Sequence, residues 1–265
     1  MPRILLNHVT IGYRELGERT RPTIVFAHPM LWGPDAFREL LDGLARDFHV
    51  IAFDIHGHGA SGVYPGMTLD SMADDFQAAL EQLGAVNVTW MGVSVGGMLG
   101  MRLALQSPRR ISRLILMSTT AQLDPPPLRE ATYGLWKRYR DGERGPVADL
   151  ALPFFFSPAT MRDQPELVAA ARREMAEAGD MSAAFEAALA VFDREGLDDR
   201  IGEIAAPTLI LQGEDDPMTG PAQAEFMASK IRGAELAILK EANHLFPVEK
   251  PAETLARVRR FLGVA

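Results

Sequence analysis

The residues with the clearest chemical meaning are Gly92-Val93-Ser94-Val95-Gly96, directly after the apolar run 88–91 and directly before the helical run 97–106. Gly-x-Ser-x-Gly between a strand and a helix is the pattern of a nucleophile elbow. The turn strains the serine backbone, and side chains two residues either side would collide with it, so both positions are Gly. A serine hydroxyl is a weak nucleophile at neutral pH and needs a base, which in turn needs an orienting carboxylate. Of the six histidines, His244 follows the apolar run 236–239 and precedes the last helical pattern, where a base would hang from the last strand. His8 and His49 lie in or beside strand patterns, and packing or surface roles are expected for them. The carboxylate is expected in the loop Gly213-Glu214-Asp215-Asp216-Pro217, after the run 208–211. Asp124 is an alternative acid, although three prolines follow it and mark a hinge. The chain order is then serine, acid, histidine, which matches the order in which these groups follow a nucleophile elbow. Two backbone donors should hold the oxyanion: the N–H of Val95, and one from the loop His28-Pro29-Met30-Leu31-Trp32. Pro29 has no N–H, so Met30 is the expected donor.

Short apolar runs read as the strands that position these loops: 23–27, 50–53, 88–91, 114–117, 208–211 and 236–239. Most are continuous rather than alternating, as strands are when helices cover both sheet faces. Between them lie helical patterns. In 69–83, Leu69, Met72, Ala73, Phe76, Leu80 and Leu83 share one face, with Thr68 as N-cap and Gly84 as stop. Pro251 opens a last helix whose Leu255, Val258 and Leu262 face inward. Alternating strands and helices imply an α/β fold with a mostly parallel, doubly wound sheet. The loops bearing Met30, Ser94, the acids and His244 then share the carboxyl edge of that sheet, where ligands of open α/β sheets bind. About 90 residues between Met117 and Thr208 hold no convincing strand. They contain helical runs at 128–140, 166–178 and 182–195, and the expected organisation is a core of 1–121 and 201–265 with a helical cap at 122–200.

Composition narrows the function classes. The chain has 265 residues and a net charge of −8, which argues against a general nucleic-acid binder. Zero cysteines exclude thiol nucleophiles, disulfides and Cys-metal sites. No apolar run is long enough to cross a bilayer, and the N-terminal apolar stretch is too short for a secretory h-region, so a cytoplasmic location without membrane partners is expected. Homo-oligomerisation is left open. Gly57-His58-Gly59-Ala60-Ser61-Gly62 fits Gly-x-Gly-x-x-Gly, but Val63-Tyr64-Pro65-Gly66 intervenes before any helix, so no helix N-terminus can meet a pyrophosphate. That stretch reads as a loop bordering the site. His28, His56 and His58 lack carboxylates at metal-site spacing, and neither a metal nor another cofactor is expected.

Together the elbow, the His28-Pro29-Met30-Leu31 loop, Asp54-Ile55-His56-Gly57-His58-Gly59-Ala60-Ser61, Gly213 to Pro217 and Asn243-His244 resemble the α/β-hydrolase superfamily over essentially the whole chain outside the cap. Within it the chain is most similar to small bacterial carboxylesterases and 3-oxoadipate enol-lactonase-like hydrolases. The resemblance implies that the acid at the fourth position of Gly-x-x-Asp, Asp216, completes the triad with Ser94 and His244. It also implies a small ester or lactone as substrate, and a substrate carboxylate for which the cap offers Arg129, Arg138, Arg162 and Arg172. Two departures stand out. Pro29 replaces the usual Gly beside the acyl pocket, and His56 stands where Arg is common. Expected substrate contacts are His28 and Trp32 on the oxyanion loop, and Trp136, Phe154 and Phe155 from the cap. The same parts serve cofactor-free perhydrolases, C–C bond hydrolases and non-catalytic small-molecule receptors, which remain the rival readings.

Overall fold

The computed structural model describes residues 2–264. Eight strands form one sheet in the order β1-β2-β4-β3-β5-β6-β7-β8. They are β1 (Arg3–Leu5), β2 (Thr10–Leu16), β3 (Thr23–Ala27), β4 (His49–Phe53), β5 (Val88–Val93), β6 (Ile111–Met117), β7 (Thr208–Gly213) and β8 (Glu235–Leu239). From β3 onward every pairing is parallel, whereas β1 and β2 run antiparallel at one edge.

Alternate residues of the central strands enter different cores. Ile24, Phe26, Val50, Ala52, Met91 and Val93 face one side with Leu40, Leu44 and Val258. Val25, Ala27, Ile51, Phe53 and Trp90 face the other with Met72, Phe76 and Leu99. Both faces are therefore buried, which is why these strands read as continuous apolar runs. Helices α1 (Arg38–Leu44), α2 (Leu69–Gln82) and α3 (Val95–Gln106) supply much of that cover. Thr68 and Ser71 form a reciprocal capping box at the start of α2, a cap worth about 1 kcal/mol. Gly84 sits past its end at φ +65°.

All six expected strands are present. β5 and β7 each run two residues further, because Gly92 and Val93 still pair with Leu116 and Met117, and Gln212 and Gly213 with Ile238 and Leu239. The N-terminal antiparallel pair was not foreseen. β2, next to the edge strand β1, is a half-buried strand that mixes Thr, Gly, Tyr, Arg and Glu with its apolar residues, without an apolar run to mark it.

Between β6 and β7 the chain forms helices and no strand: α4 (Pro126–Arg140), α5 (Arg144–Phe155), α6 (Pro158–Asp163), α7 (Pro165–Ala176) and α8 (Ser182–Phe192). The expected runs at 128–140, 166–178 and 182–195 correspond to α4, α7 and α8. α5 and α6 escaped the pattern because Pro146, Pro153 and Pro158 interrupt it. The chain closes with α9 (Pro221–Lys230), α10 (Phe246–Glu249) and α11 (Pro251–Leu262). In α11 Val258 is fully buried and Leu255 and Leu262 partly so. Among the described residues no helix is long and apolar enough to cross a membrane.

Candidate active site

Ser94 stands between β5 and α3 at φ 54°, ψ −116°, a conformation that costs a non-glycine residue about 1–3 kcal/mol and persists only where its surroundings impose it. They do. Its N–H donates to Met117 O at 2.9 Å, and its carbonyl accepts from Gly97 N, Met98 N and the Thr119 hydroxyl at 2.7–3.0 Å. A Cβ on Gly92 would overlap the Gly96 carbonyl, and one on Gly96 would overlap the carbonyl of Ala27 on β3. The elbow therefore packs backbone on backbone, and only glycine allows the approach.

His244 follows β8, and its Nδ1 lies 2.9 Å from Asp216 Oδ2, with both side chains buried. Asp216 also accepts hydrogen bonds from Gln212 Nε2, the N–H groups of Met218 and Thr219, and Thr219 Oγ1, all at 2.9–3.1 Å. Burial alone would raise its pKa. The charge and hydrogen bond of His244, with the donors from Thr219 and Gln212, outweigh burial and hold the carboxyl well below the usual range. An ionised Asp216 fixes the proton on His244 Nδ1, which leaves Nε2 as the basic nitrogen. Asp215, next door, is exposed. Asp124 instead pairs with Arg194 Nη2 at 3.0 Å.

The loop after β3 carries Leu31 at φ 72°. The Leu31 N–H donates to His58 Nε2 at 3.0 Å, and position 29 is proline. Met30 lies between them and lines the same cavity as Ser94, and Val95 begins α3, where backbone N–H groups lack helical acceptors. Two histidines brace the loop. His28 accepts from Ile55 N at 3.0 Å through Nε2 and donates from Nδ1 to Pro29 O at 2.8 Å. His58 donates from Nδ1 to His56 O at 3.0 Å. Each ring must be neutral to make both bonds. Burial, aided by the neighbouring His58, pulls the His28 pKa down to about 3, and burial pulls His58 down to about 4. His56 and His8 are engaged elsewhere, each 2.9 Å from an oxygen of the buried Asp75. Among the described residues no cluster of His, Asp and Glu is suited to a metal ion.

Met30, Ser94, Val95 and His244 line one cavity of about 200 Å³. Among the described residues no hydrogen bond joins Ser94 Oγ to the His244 ring. Such contacts commonly tighten only when substrate binds. Trp136, Phe154 and Phe155 line the cavity as expected. His28 and Trp32 do not. His28 is fully buried behind the loop, and Trp32 is buried with its ring edge-on to Phe155, the centroids 5.6 Å apart. The four cap arginines also miss the cavity. Arg138, Arg162 and Arg172 pair on the surface with Glu143, Asp163 and Asp149 at 2.6–2.8 Å, and Arg129 is exposed. Acidic neighbours in sequence or space thus hold three of the four at the surface.

Two residues that join the end of α5 to the histidine loop carry no sign of that role in the sequence. Asn243 Nδ2 donates to Pro153 O and Phe156 O at 2.9 and 3.0 Å. The buried Glu249 carboxylate accepts from Ser157 N at 2.6 Å and Asn243 N at 2.7 Å. Leu245 N also donates to Phe155 O at 3.0 Å. The end of α5 is thus stitched to the loop that carries His244. Asn243 is at least adjacent to the histidine, but nothing in Val248-Glu249-Lys250 separates a buried clamp from a surface acid.

A family model described as the alpha/beta hydrolase fold matches residues 22–251. A 3-oxoadipate enol-lactonase of Acinetobacter baylyi is 28% identical over 92% of this chain and 89% of its own length. The crystal structure of an enol-lactonase from Burkholderia xenovorans superposes with a TM-score of 0.90 at 26% identity, covering 99% of this chain and 100% of that one. A hydrolase from Pseudomonas aeruginosa does so with a TM-score of 0.88 at 30% identity, covering 99% and 98%.

Proposed function

This chain belongs to the alpha/beta hydrolase fold family, and on that premise we propose that it is a serine hydrolase of small carboxylic esters or lactones. The observation that carries the reading is the convergence on one cavity of an elbow serine and a histidine whose far nitrogen is held by a buried, ionised carboxylate. In this reading Ser94 Oγ attacks the ester carbonyl while His244 Nε2 takes its proton, and Asp216 stabilises the resulting imidazolium. The N–H groups of Met30 and Val95 receive the developing oxyanion, a contribution of about 10²–10³ in kcat per donor. The imidazolium then protonates the leaving alkoxide. Water, deprotonated by the same histidine, releases the acid from the acyl-serine. Residues 122–200 act as the cap over a core of 1–121 and 201–265, and the Asn243 and Glu249 stitches couple cap position to the base.

The test is active-site labelling. A fluorophosphonate should modify the wild-type protein once, at Ser94, with loss of p-nitrophenyl acetate hydrolysis, and should leave Ser94→Ala unlabelled. Labelling at another serine, or undiminished hydrolysis by Ser94→Ala, refutes the reading.

A further inference from the structure

The walls of the cavity are apolar almost throughout, with Leu128, Leu135, Trp136, Val147, Phe154 and Phe192 among them. Among the described residues no lysine or arginine reaches it. The one carboxylate in its lining is Asp124. Asp124 is held by Arg194, nearly fully buried, whose Nη1 donates to Val191 O at 2.8 Å and whose Nη2 donates to Gln122 O and Asp124 Oδ2, both at 3.0 Å. Val191 itself lines the cavity, so this guanidinium lies just behind the wall, neutralised by the carboxylate that faces inward.

An anionic substrate entering here would lose its hydration without gaining a counter-charge, and would meet a carboxylate. Burying an unpaired charge in apolar surroundings is strongly unfavourable. We propose that the site selects neutral, apolar esters or lactones and excludes substrates bearing a carboxylate, with the Asp124–Arg194 pair as the specificity-determining element. The inference rests on the hydrolase reading above, and it separates this chain from the carboxylate-bearing substrate implied by its resemblance to 3-oxoadipate enol-lactonases. Asp124 sets this preference by occupying Arg194. Without the carboxylate, the guanidinium would present net positive charge through a thin wall.

The experiment compares methyl butyrate with monomethyl succinate, whose acyl chains differ by a terminal methyl against a carboxylate, by following acid release in a pH-stat at pH 7.5. The neutral ester should lead by at least 100-fold in kcat/KM, and Asp124→Asn should narrow that ratio tenfold or more by raising the rate on the succinate ester. Leu128→Arg, which adds a cation to the half-buried rim of α4, should also raise that rate. Equal kcat/KM for the two esters in the wild-type protein overturns the inference and leaves the hydrolase reading standing. Turnover of neither ester, with no fluorophosphonate labelling of Ser94, overturns the proposed function and this inference with it.

Discussion

Lowering the pH from 7 to 5 should destabilise the fold through the two histidines that brace the loop after β3. His28 and His58 accept backbone N–H groups of Ile55 and Leu31 on Nε2, so protonating either ring breaks the bond it accepts. Their pKa values fall from 6.5 to about 3 and about 4 on folding. Between those values and 6.5 the unfolded chain binds more protons than the native one, so stability rises with pH and is lost as pH falls. Because both folded values lie well below 5, the change between pH 7 and pH 5 depends almost wholly on the unfolded titration. It amounts to about 2 kcal/mol for each ring, or about 4 kcal/mol for the pair. That is a large part of the 5–15 kcal/mol typical of native proteins. Asp216 does not offset it, since a carboxylate with a depressed pKa loses its contribution only below the ordinary Asp range, near pH 4. Urea denaturation of wild type and His58→Gln at both pH values is the assay. Gln cannot titrate, and its side-chain oxygen can still accept the Leu31 N–H, so the variant should lose about half as much stability on acidification. At m of about 2–3 kcal/mol/M, the two proteins should differ by about 0.7–1 M in how far the midpoint moves. The same pH dependence in both would refute the assignment of His58 as a neutral acceptor.

Asp216→Asn should lower kcat by orders of magnitude, as removal of an orienting carboxylate does, while the exposed Asp215→Asn should stay within about threefold; steady-state kinetics on p-nitrophenyl acetate decide, and the reverse ranking would move the acid role to Asp215. Ser94→Ala combined with His244→Ala should be little worse in kcat than either alone, because residues acting as one unit are not additive, and multiplicative losses would show that they act separately. Gly96→Ala would press a methyl group to well under 3.0 Å from the Ala27 carbonyl, so thermal melts should show a loss of about 3 kcal/mol or more, and a variant of wild-type Tm would mean that the elbow yields more easily than its backbone contacts imply. A cavity of about 200 Å³ should favour p-nitrophenyl acetate or butyrate over decanoate in kcat/KM, and a steady rise with chain length would show that the cap opens a long acyl channel.

The elbow and its neighbours were legible before any coordinates because their constraints are local. Gly92 and Gly96 mark backbone contacts that no other residue allows, and the continuous apolar runs around them are the chemical trace of a sheet covered on both faces. Chain order along a parallel sheet then brought the loops of Ser94, Asp216 and His244 to one edge. The edge pair β1 and β2 left no such trace, since an edge that is half wet tolerates Thr, Gly, Arg and Glu. α5 was hidden by the prolines that punctuate it. What only the tertiary structure decided is which polar groups meet across distance. Glu249 clamps Ser157, 92 residues away, and Arg194 lies behind the cavity wall against Asp124, 70 residues away. His28 and Trp32, on the same loop as Met30, do not line the cavity. A side chain's partners depend on how separate elements pack, and residue type and spacing do not encode that. Local backbone geometry could therefore be read from the string of residues, while charge pairing and the lining of the cavity had to await the fold.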